Sequence, residues 1–183
     1  MKYEPLAIPD VILMTPKVFG DERGFFMETF RQSDFEHHCG HYQFVQDNHS
    51  KSGRGTLRGM HYQLENPQGK QVRVTKGEVF DVVVDLRKSS PTFGQWLGVT
   101  LNAENKQLLW VPPGFAHGFY VTSDEAEFQY KCTDYYAPGD EYAIHWDDPT
   151  LNIQWPLEEQ AEPLLSPKDA EAPKWADVTA FYA

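Results

Sequence analysis

Residues 70–87, KQVRVTKGEVFDVVVDLR, contain the clearest strand pattern in the chain. In the second half of this stretch, alternate residues form two sets. Phe80, Val82, Val84 and Leu86 are all apolar, whereas the set between them consists of Val79, Asp81, Val83 and Asp85 and contains two aspartates. A period of two is the signature of a β-strand. Lys76 and Gly77 interrupt the pattern, and we therefore predict two strands that are separated there.

Short strand-like runs of the same kind recur on both sides of this stretch, between turn signals. The runs are VILMTPKVF (11–19), FFMETF (25–30), YQFVQDNHS (42–50), TLRGMHYQL (56–64), WLGVTLN (96–102), QLLWV (107–111), FYVTS (119–123), AEFQYKCTDYY (126–136) and YAIHW (142–146). GDERG (20–24), KSGRG (51–55), SSPTFGQ (89–95) and PPGFAHG (112–118) are predicted as turns. Helical signal is limited to RQSDFEHHCG (31–40), ending at Gly40, and to a second start at residues 166–170. This spacing predicts an all-β sandwich or barrel with a few short helices.

The length and charge of the chain limit its class. We expect all 183 residues to form one domain. No apolar run approaches the ~18 residues of a membrane span, and the N-terminus does not resemble a signal peptide. We therefore expect a cytoplasmic protein with no membrane partner. The net charge of −11 argues against nucleic-acid binding, although local Arg and Lys residues can still receive a small anion. Cys39 and Cys132 are predicted to be reduced core residues.

The sequence PPGFAHGF (112–119) contains the pattern Pro-x-Gly-x-x-His, which is formed by Pro112, Gly114 and His117. It resembles the second motif of the cupin jelly rolls. Their first motif carries His-x-His followed by Glu, and the matching place here is RGMHYQ (58–63), where Gln63 replaces the second His. A metal site of this kind needs about three or four N/O ligands, and only His61 and His117 remain. We expect a cupin-like double-stranded β-helix, or jelly roll, with no metal and no other cofactor.

RGMHYQ places a cation, an imidazole and an amide along one apparent strand, and we expect Arg58, His61 and Gln63 to face the barrel interior. With Lys70 and His117 they form a cationic cluster, which would destabilise an empty core. An anionic or enolate-like ligand would account for the cluster. Each of these residues taken alone is also compatible with an exposed or internally hydrogen-bonded position, so the interpretation depends on their occurrence together.

Seven sequence blocks between residues 19 and 169 resemble, in order, the dTDP-4-dehydrorhamnose 3,5-epimerase family of metal-free cupins. They are FGDERGFFMETF, QDNHSKSGRGTLRGMHYQ, QGKQVRVTKGEVFDVVVDLRKSSPTFGQW, LNAENKQLLWVPPGFAHGFYV, YKCTDYYAPGDE, WDDPTLNIQWP and LSPKD. Asp47 and Gln71 depart from the residues common in the family, and neither position belongs to the reactive groups. The resemblance implies a role in dTDP-L-rhamnose biosynthesis, which supplies cell-surface polysaccharide.

The resemblance also implies a mechanism. The substrate would be dTDP-4-dehydro-6-deoxy-D-glucose, and the carbons on both sides of its ketone would be inverted through an enolate to give dTDP-4-dehydro-L-rhamnose. By the family match, His61 is the base and Asp169 orients its imidazole. Lys70 would stabilise the enolate oxygen, and Tyr130 would return a proton from the opposite face. Taken without the family match, Asp169 could equally be the acidic residue of a helix N-terminus.

Further residues match substrate contacts of the family. Tyr136 matches the ring that stacks on the thymine, with Tyr135 as its rival. The complete set of matched contacts is Arg23, Glu28, Gln46, Asn48, Arg58, His117, Tyr136, Glu141 and Lys168. His37, His38 and His41 match no block and are predicted to be surface residues. A homodimer is implied, and residues 11–30 could cross to the partner and bring Arg23 and Glu28 into its site.

Three other functions remain open from the sequence. One is an epimerase that acts at a single position, the 3- or the 5-position, of another dTDP-4-keto-deoxysugar. Another is a cupin ketoisomerase, which would move the carbonyl group. The last is a non-catalytic cupin that only binds a sugar nucleotide, although the presence of both His61 and Tyr130 argues against it.

Overall fold

A computed structural model describes residues 1–158, 161–178 and 181–182, which form two facing antiparallel sheets and a separate hairpin. The first sheet has the order β1 (Lys2–Pro5), β2 (Ile12–Thr15), β10 (Leu108–Val111), β7 (Lys70–Lys76), β12 (Glu125–Cys132) and β5 (Gln46–Gly53). The second has the order β13 (Glu141–Ala143), β6 (Leu57–Gln63), β11 (Phe115–Val121), β8 (Glu78–Asp85) and β9 (Trp96–Asn102). The hairpin consists of β3 (Val18–Asp21) and β4 (Gly24–Met27). The chain therefore has the all-β, cupin-like jelly roll that the sequence predicts.

Helical structure is short and peripheral. Helix α1 spans Gln32–Cys39 and is followed by Gly40, whose φ of 99° ends the helix as predicted. Helix α2 spans Pro167–Ala170 and begins after Ser166, whose hydroxyl accepts a hydrogen bond from the Asp169 N–H. Two 3₁₀ turns cover Pro138–Asp140 and Trp175–Asp177. None of the helices in the described part of the chain has the length and apolar character that a membrane span requires.

Strand β8 is almost fully buried because both of its faces are covered. Val79 and Val83 face the other sheet, in the main core, while Val82 and Val84 lie in a second cluster beneath the C-terminal segment. The alternation that identified this strand therefore separates two buried faces, as expected for a strand in the middle of a layered fold. A third cluster lies under α1 and centres on Phe35 and other fully or nearly fully buried side chains: Ile12, Met14, Leu108 and Trp110.

The two sheets contact each other directly through an aromatic pair. Phe119 on β11 and Phe128 on β12 stack with ring centroids 4.3 Å apart and an interplanar angle of 20°. Both rings are buried, at 5% and 1% exposure. Stacked aromatic rings of this kind fix the distance and orientation of the layers they join.

Strands β6 and β11 approach unusually closely where two glycines face each other. A Cβ atom on Gly59 would lie 2.5 Å from Cα of Gly118, and the φ of Gly59 is +135°. The pairing of β11 with β6 shifts register between His117 and Phe119 at the same place. Only glycine fits such a position, and the irregularity changes which side chains of β6 point inward.

Several element bounds differ from the sequence prediction, and three of the differences have a clear physical reason. The run VILMTPKVF contains two strands, β2 and β3, because Pro16 cannot continue a ladder. Strand β11 begins at Phe115, inside the predicted turn PPGFAHG, because residues 115–121 pair along the length of β8. Strand β1 was not predicted, since its four residues have no clear alternation and are ordered by pairing with β2.

Candidate active site

A cavity of about 510 Å³ opens between the two sheets and contains most of the predicted reactive groups. Its lining includes His61, Lys70, Tyr130 and Asp169, the four predicted catalytic residues, as well as Arg58 and His117. His61 and His117 come from the five-stranded sheet and Lys70 and Tyr130 from the six-stranded sheet. The fold thus brings together residues that are distant in the sequence, such as His61 and Asp169, which are 108 positions apart.

His61 and Asp169 form a short hydrogen bond at the edge of this cavity. Nε2 of His61 lies 2.5 Å from Oδ1 of Asp169, and the other carboxylate oxygen accepts from the Gly59 N–H at 3.4 Å. Burial by itself raises the pKa of Asp169, but the hydrogen bond and charge of His61, with the Gly59 N–H, hold it below its ordinary value. An ionised Asp169 accepts the proton on Nε2, which leaves Nδ1 as the ring nitrogen that can take up another proton.

Lys70 supplies a partly buried basic side chain. It is the first residue of β7 and lies opposite Cys132 in the sheet. Burial lowers the pKa of Lys70, although Cys132 and the carboxylate of Asp81 act in the opposite direction. Lys70 takes part in none of the ion pairs formed by the described residues. Its charge is therefore available to an anionic group that enters the cavity.

Tyr130 faces the cavity from β12, on the sheet opposite His61. Burial raises the pKa of Tyr130, and the neighbouring thiol of Cys132 adds to this effect, whereas the Asn48 side chain and the charge of Arg58 oppose it. The phenol is therefore protonated at neutral pH. A proton acceptor and a proton donor thus border one cavity from two different sheets.

His117 is held by the carboxylate of Asp81, a residue that the sequence motifs do not mark as part of the site. Nε2 of His117 lies 2.9 Å from both carboxylate oxygens of Asp81, and Asp81 is fully buried on β8. Burial raises the pKa of Asp81, while His117 and then Lys70 act against this shift. The signal in the sequence was an acidic residue on the same side of β8 as Val79 and Val83. An acid in an otherwise apolar row needs a partner inside the fold.

Arg58 lies at the side of the cavity, and its guanidinium Nε donates a hydrogen bond of 3.0 Å to the Ser52 hydroxyl. Arg58 and His61 are three residues apart, so a regular strand would place them on opposite faces. The irregularity at Gly59 lets both line the cavity. Gln63 is not part of the lining, contrary to the expectation for RGMHYQ, and its amide binds neighbouring loops instead.

The rim of the cavity carries a linked group of polar residues. The Tyr136 hydroxyl donates to Oε2 of Glu141 at 2.8 Å, and Lys168 donates to the same oxygen. Burial would raise the pKa of Glu141, but Lys168 and Tyr136 hold it below its ordinary value. Lys168 also lines the cavity, and α2 places it next to Asp169. Tyr135, the alternative to Tyr136 as the stacking ring, is 64% exposed.

Gln46 and Asn48 lie on the edge strand β5 near this rim. The Gln46 amide donates to Oδ1 of Asn48 at 3.2 Å and accepts from the Tyr136 N–H at 3.0 Å. Asn48 is directly opposite Tyr130 in the sheet. The structure therefore brings both predicted contacts close to the tyrosines of the site.

Two predicted contacts are not brought to this cavity. Arg23 is paired with Asp21 in the β3–β4 hairpin, and Glu28 is paired with Arg31 just after it. The hairpin forms its own two-stranded sheet and exposes Phe25 by 61%. Within one chain, these two residues are separate from the reactive groups. As for metal ligands, residues 1–158, 161–178 and 181–182 contain no group of three or more His, Cys, Asp or Glu side chains that could hold an ion.

Comparisons with known proteins identify the family of the chain. Residues 5–177 match the family model described as dTDP-4-dehydrorhamnose 3,5-epimerase. The Pseudomonas aeruginosa protein of that name is 60% identical over 182 residues, which cover 99% of each chain. The Legionella pneumophila dTDP-6-deoxy-D-glucose-3,5-epimerase, solved in complex with dTDP-4-keto-L-rhamnose, has a TM-score of 0.93 and 53% identity over 98% of this chain and 95% of that one.

A solved relative with a narrower activity has the same architecture. ChmJ from Streptomyces bikiniensis, a 3'-monoepimerase solved in complex with dTDP-quinovose, has a TM-score of 0.88 and 38% identity over 94% of this chain and 87% of that one. The jelly roll and its cavity, with these relatives, define an isomerase of the cupin class. More narrowly, the chain belongs to the dTDP-4-dehydrorhamnose 3,5-epimerase family.

Proposed function

We propose that this protein converts dTDP-4-dehydro-6-deoxy-D-glucose to dTDP-4-dehydro-L-rhamnose by inverting both carbons beside the ketone, as a step of dTDP-L-rhamnose biosynthesis. The observation that carries the proposal is the placement of His61 and Tyr130 on opposite sheets of one cavity. Inversion at a carbon beside a ketone requires removal of a proton from one face and its return to the other. A base and an acid on facing walls are suited to this chemistry.

His61 acts as the base in this proposal. The imidazole takes the proton beside the ketone on Nδ1, and the C–H electron pair moves into the carbonyl to give an enolate. The resulting imidazolium carries its charge next to Asp169, whose carboxylate is 2.5 Å from Nε2 and 3% exposed. A buried carboxylate at this distance stabilises the charged imidazole and fixes its orientation.

Lys70 stabilises the enolate oxygen. Its side chain is partly buried and takes part in none of the ion pairs formed by the described residues, so it can interact with charge that develops in the substrate. Preorganised charges in a site with little water lower the barrier most when they face the atom that becomes negative. His117, held by Asp81, lies on the same cavity wall as His61 and is proposed as a further substrate contact.

Tyr130 returns the proton. Because burial raises the pKa of Tyr130, the phenol keeps its proton until the strongly basic enolate carbon accepts it. The proton reaches the face opposite to His61 and inverts the carbon. The phenolate then recovers a proton from solvent, and the imidazolium releases one, so the net reaction consumes no proton.

The nucleotide is proposed to lie toward the rim. Arg58 and Lys168 are suited to the diphosphate, since both line the cavity with their charged groups. Tyr136 is proposed to stack on the thymine, because its ring is half exposed beside this end of the cavity. Gln46, Asn48 and Glu141 are proposed as the remaining contacts. Tyr135 lies next to Tyr136 and is the alternative stacking ring.

We also propose a homodimer in which the β3–β4 hairpin of one protomer reaches the site of its partner. The hairpin carries Arg23 away from the cavity of its own chain. It also exposes large apolar side chains, since Phe19, Phe25 and Phe26 are 54%, 61% and 71% exposed. Two inactive variants, Arg23→Ala and His61→Ala, should complement each other when they are mixed after denaturation and refolding. Random pairing gives about a quarter of wild-type activity if Arg23 acts on the partner's site, and none if it acts within its own chain.

The main proposal is tested by solvent exchange. The protein is incubated with the dTDP-4-keto sugar in deuterated water, and deuterium is located by NMR. Label at C3 and C5, with formation of the L-rhamno product, supports inversion at both positions. Label and inversion at C3 alone would support the second candidate, a 3-epimerase, which the likeness to ChmJ favours. Binding of the sugar nucleotide without exchange at either carbon would leave a non-catalytic binding protein.

The cellular setting is also a proposal. Cys39 and Cys132 are free thiols, and Cys132 is fully buried. Free cysteines suit a reducing compartment, and a cytoplasmic location is proposed on this basis. Supply of L-rhamnose units to cell-surface polysaccharide follows from the proposed product.

A further inference from the structure

The segment formed by residues 133–137, called the tyrosine segment below, connects β12 to the 3₁₀ turn and carries Tyr135 and Tyr136. It runs beside the loop of residues 64–69 that connects β6 to β7. Amide side chains join the two, as when Gln68 donates to the Asp134 carbonyl at 2.9 Å. A backbone link also exists, because the Thr133 N–H donates to the Gly69 carbonyl. The segment has no regular secondary structure, so these bonds determine its path.

Gln63 makes the contacts that enclose Tyr136 on both sides. Its Nε2 donates to the Tyr135 carbonyl at 3.1 Å, and its Oε1 accepts from the Ala137 N–H at 2.9 Å. The second Nε2 proton goes to the Asn66 carbonyl at 2.7 Å. The side chain is 3% exposed at the end of β6, so both ends of one buried amide are used.

Tyr136 itself is held by a second glutamine. Its backbone N–H donates to Oε1 of Gln46 at 3.0 Å. Three consecutive residues of the tyrosine segment therefore have backbone groups bound by glutamine side chains from β5 and β6. The Tyr136 hydroxyl is bound by Glu141, and the residue remains half exposed. A ring whose backbone is fixed in advance loses little entropy when a flat ligand stacks on it.

We propose that Gln63 is a positioning residue for the nucleobase, which acts by holding the tyrosine segment so that the Tyr136 ring presents its face to a pyrimidine. This inference rests on the proposed function, because it assumes a dTDP-sugar ligand. The amide is required because one end must donate to two carbonyls while the other accepts from an N–H. Methionine supplies neither group. Glutamate keeps the acceptor but turns a carboxylate oxygen toward the Asn66 and Tyr135 carbonyls, which also accept.

The test measures the affinity for two ligands by titration calorimetry. We expect Gln63→Met and Gln63→Glu to raise the Kd for dTDP about tenfold, equivalent to about 1.4 kcal/mol, because a stacking platform is displaced. The Kd for inorganic pyrophosphate, which has no ring, should change less than about twofold. Gln71→Met is the matched control. Gln71 is also 3% exposed, and its amide contacts Met14 rather than the tyrosine segment, so dTDP binding should be unchanged.

A double-mutant cycle with Tyr136→Ala separates positioning from general damage. In the Tyr136→Ala background, Gln63→Met should change the Kd for dTDP less than about twofold, because the ring through which Gln63 acts is gone. With the sugar nucleotide as substrate, Gln63→Met should raise KM and leave kcat within about threefold of the wild type.

Several results would overturn the inference. One is an unchanged Kd for dTDP in both Gln63 variants, and another is an equal loss for pyrophosphate. A full effect of Gln63→Met without the Tyr136 ring would show that it does not act through that ring. If both Gln63 variants unfold while Gln71→Met folds, Gln63 serves the fold rather than the nucleobase. Absence of dTDP binding by the wild type would refute the proposed function itself, before any variant is compared.

Discussion

Replacement of Asp169 by asparagine tests the proposed base most directly. Asparagine has the same shape and can still accept from the Gly59 N–H, but it removes the negative charge next to His61. Asp169 is 3% exposed, so water does not replace the lost charge. The variant therefore changes the electrostatics of the pair and leaves the packing of α2 in place.

The expected magnitude follows from the geometry of the pair. With Nε2 and Oδ1 2.5 Å apart, the charge centres of the two groups are about 4 Å apart, and opposite charges at that distance interact by about 4 kcal/mol at an effective dielectric constant of about 20. A hydrogen bond to a charged group contributes about 1.5–3 kcal/mol. Since the imidazole is charged after proton removal, we expect the variant to lose about 3 kcal/mol of transition-state stabilisation. That loss lowers kcat by about 150-fold.

The assay is NMR-detected conversion of the dTDP-4-keto sugar in deuterated water, across a range of pH. Without the carboxylate, the imidazolium formed on proton removal is less stabilised, so kcat should fall across the whole range of pH. The Kd for dTDP should stay within about twofold of the wild type. Asp148→Asn is the control, because Asp148 is equally buried but binds backbone N–H groups of residues 150, 151 and 175. An Asp169→Asn enzyme with more than about a third of wild-type kcat would refute the reasoning.

Three further predictions concern the acid, the basic side chain of Lys70 and acid stability. Tyr130→Phe removes the proton donor and leaves the base, so NMR should still detect deuterium entering the substrate while product formation falls at least about a hundredfold; unchanged product formation would rule out the acid assignment. Lys70→Met should lower kcat by about 10²–10³ because the enolate oxygen loses its charge partner, and steady-state kinetics with near-wild-type kcat would contradict this. Burial raises the pKa of Asp85, but hydrogen bonds led by Arg87 hold it at about 2 in the folded protein, below the unfolded value of about 3.9. The stabilising effect of the Asp85 carboxylate is therefore complete above about pH 4 and is lost as the pH falls through about 2. Asp85→Asn should remove on the order of 2 kcal/mol of stability at neutral pH. Denaturant titrations should then show a smaller loss of unfolding free energy at acidic pH for the variant than for the wild type.

The sequence predicts the sheets best where burial imposes a strict pattern. The alternation in β8 and the break at Gly77 are both present, and a Cβ at Gly77 would lie 1.9 Å from the Glu125 carbonyl oxygen. The end of α1 at Gly40 was also predictable, since glycine readily adopts its positive φ. By contrast, the start of β11 was assigned to a turn. The composition of PPGFAHG favours a turn, and only the pairing with β8 shows that the strand begins at Phe115.

The candidate site was partly predictable for a different reason. The family resemblance selected His61, Lys70, Tyr130 and Asp169, and all four line one cavity. Among residues that hold others in place, the family match selects Asp169 and the sequence places Gln63 inside the barrel, but the partners of Asp81 and Gln63 are not indicated because they are distant in sequence. Asp81 meets His117 across 36 positions, and Gln63 meets the Ala137 backbone across 74. Arg23 and Glu28 were selected by the family resemblance, but neither lines the cavity of its own chain. They are proposed to act in the site of a partner protomer.

The stacked pair of Phe119 and Phe128 has a consequence for how relatives of this protein can diverge. Because the two rings join the walls that carry His61 and Tyr130 and also line the cavity, the gap available to a sugar ring depends on their apolar packing. A smaller side chain at either position would let the walls approach or tilt, and the reach of base and acid to each carbon would change together. Selectivity for one carbon over another can thus arise from substitutions that leave the base and the acid unchanged.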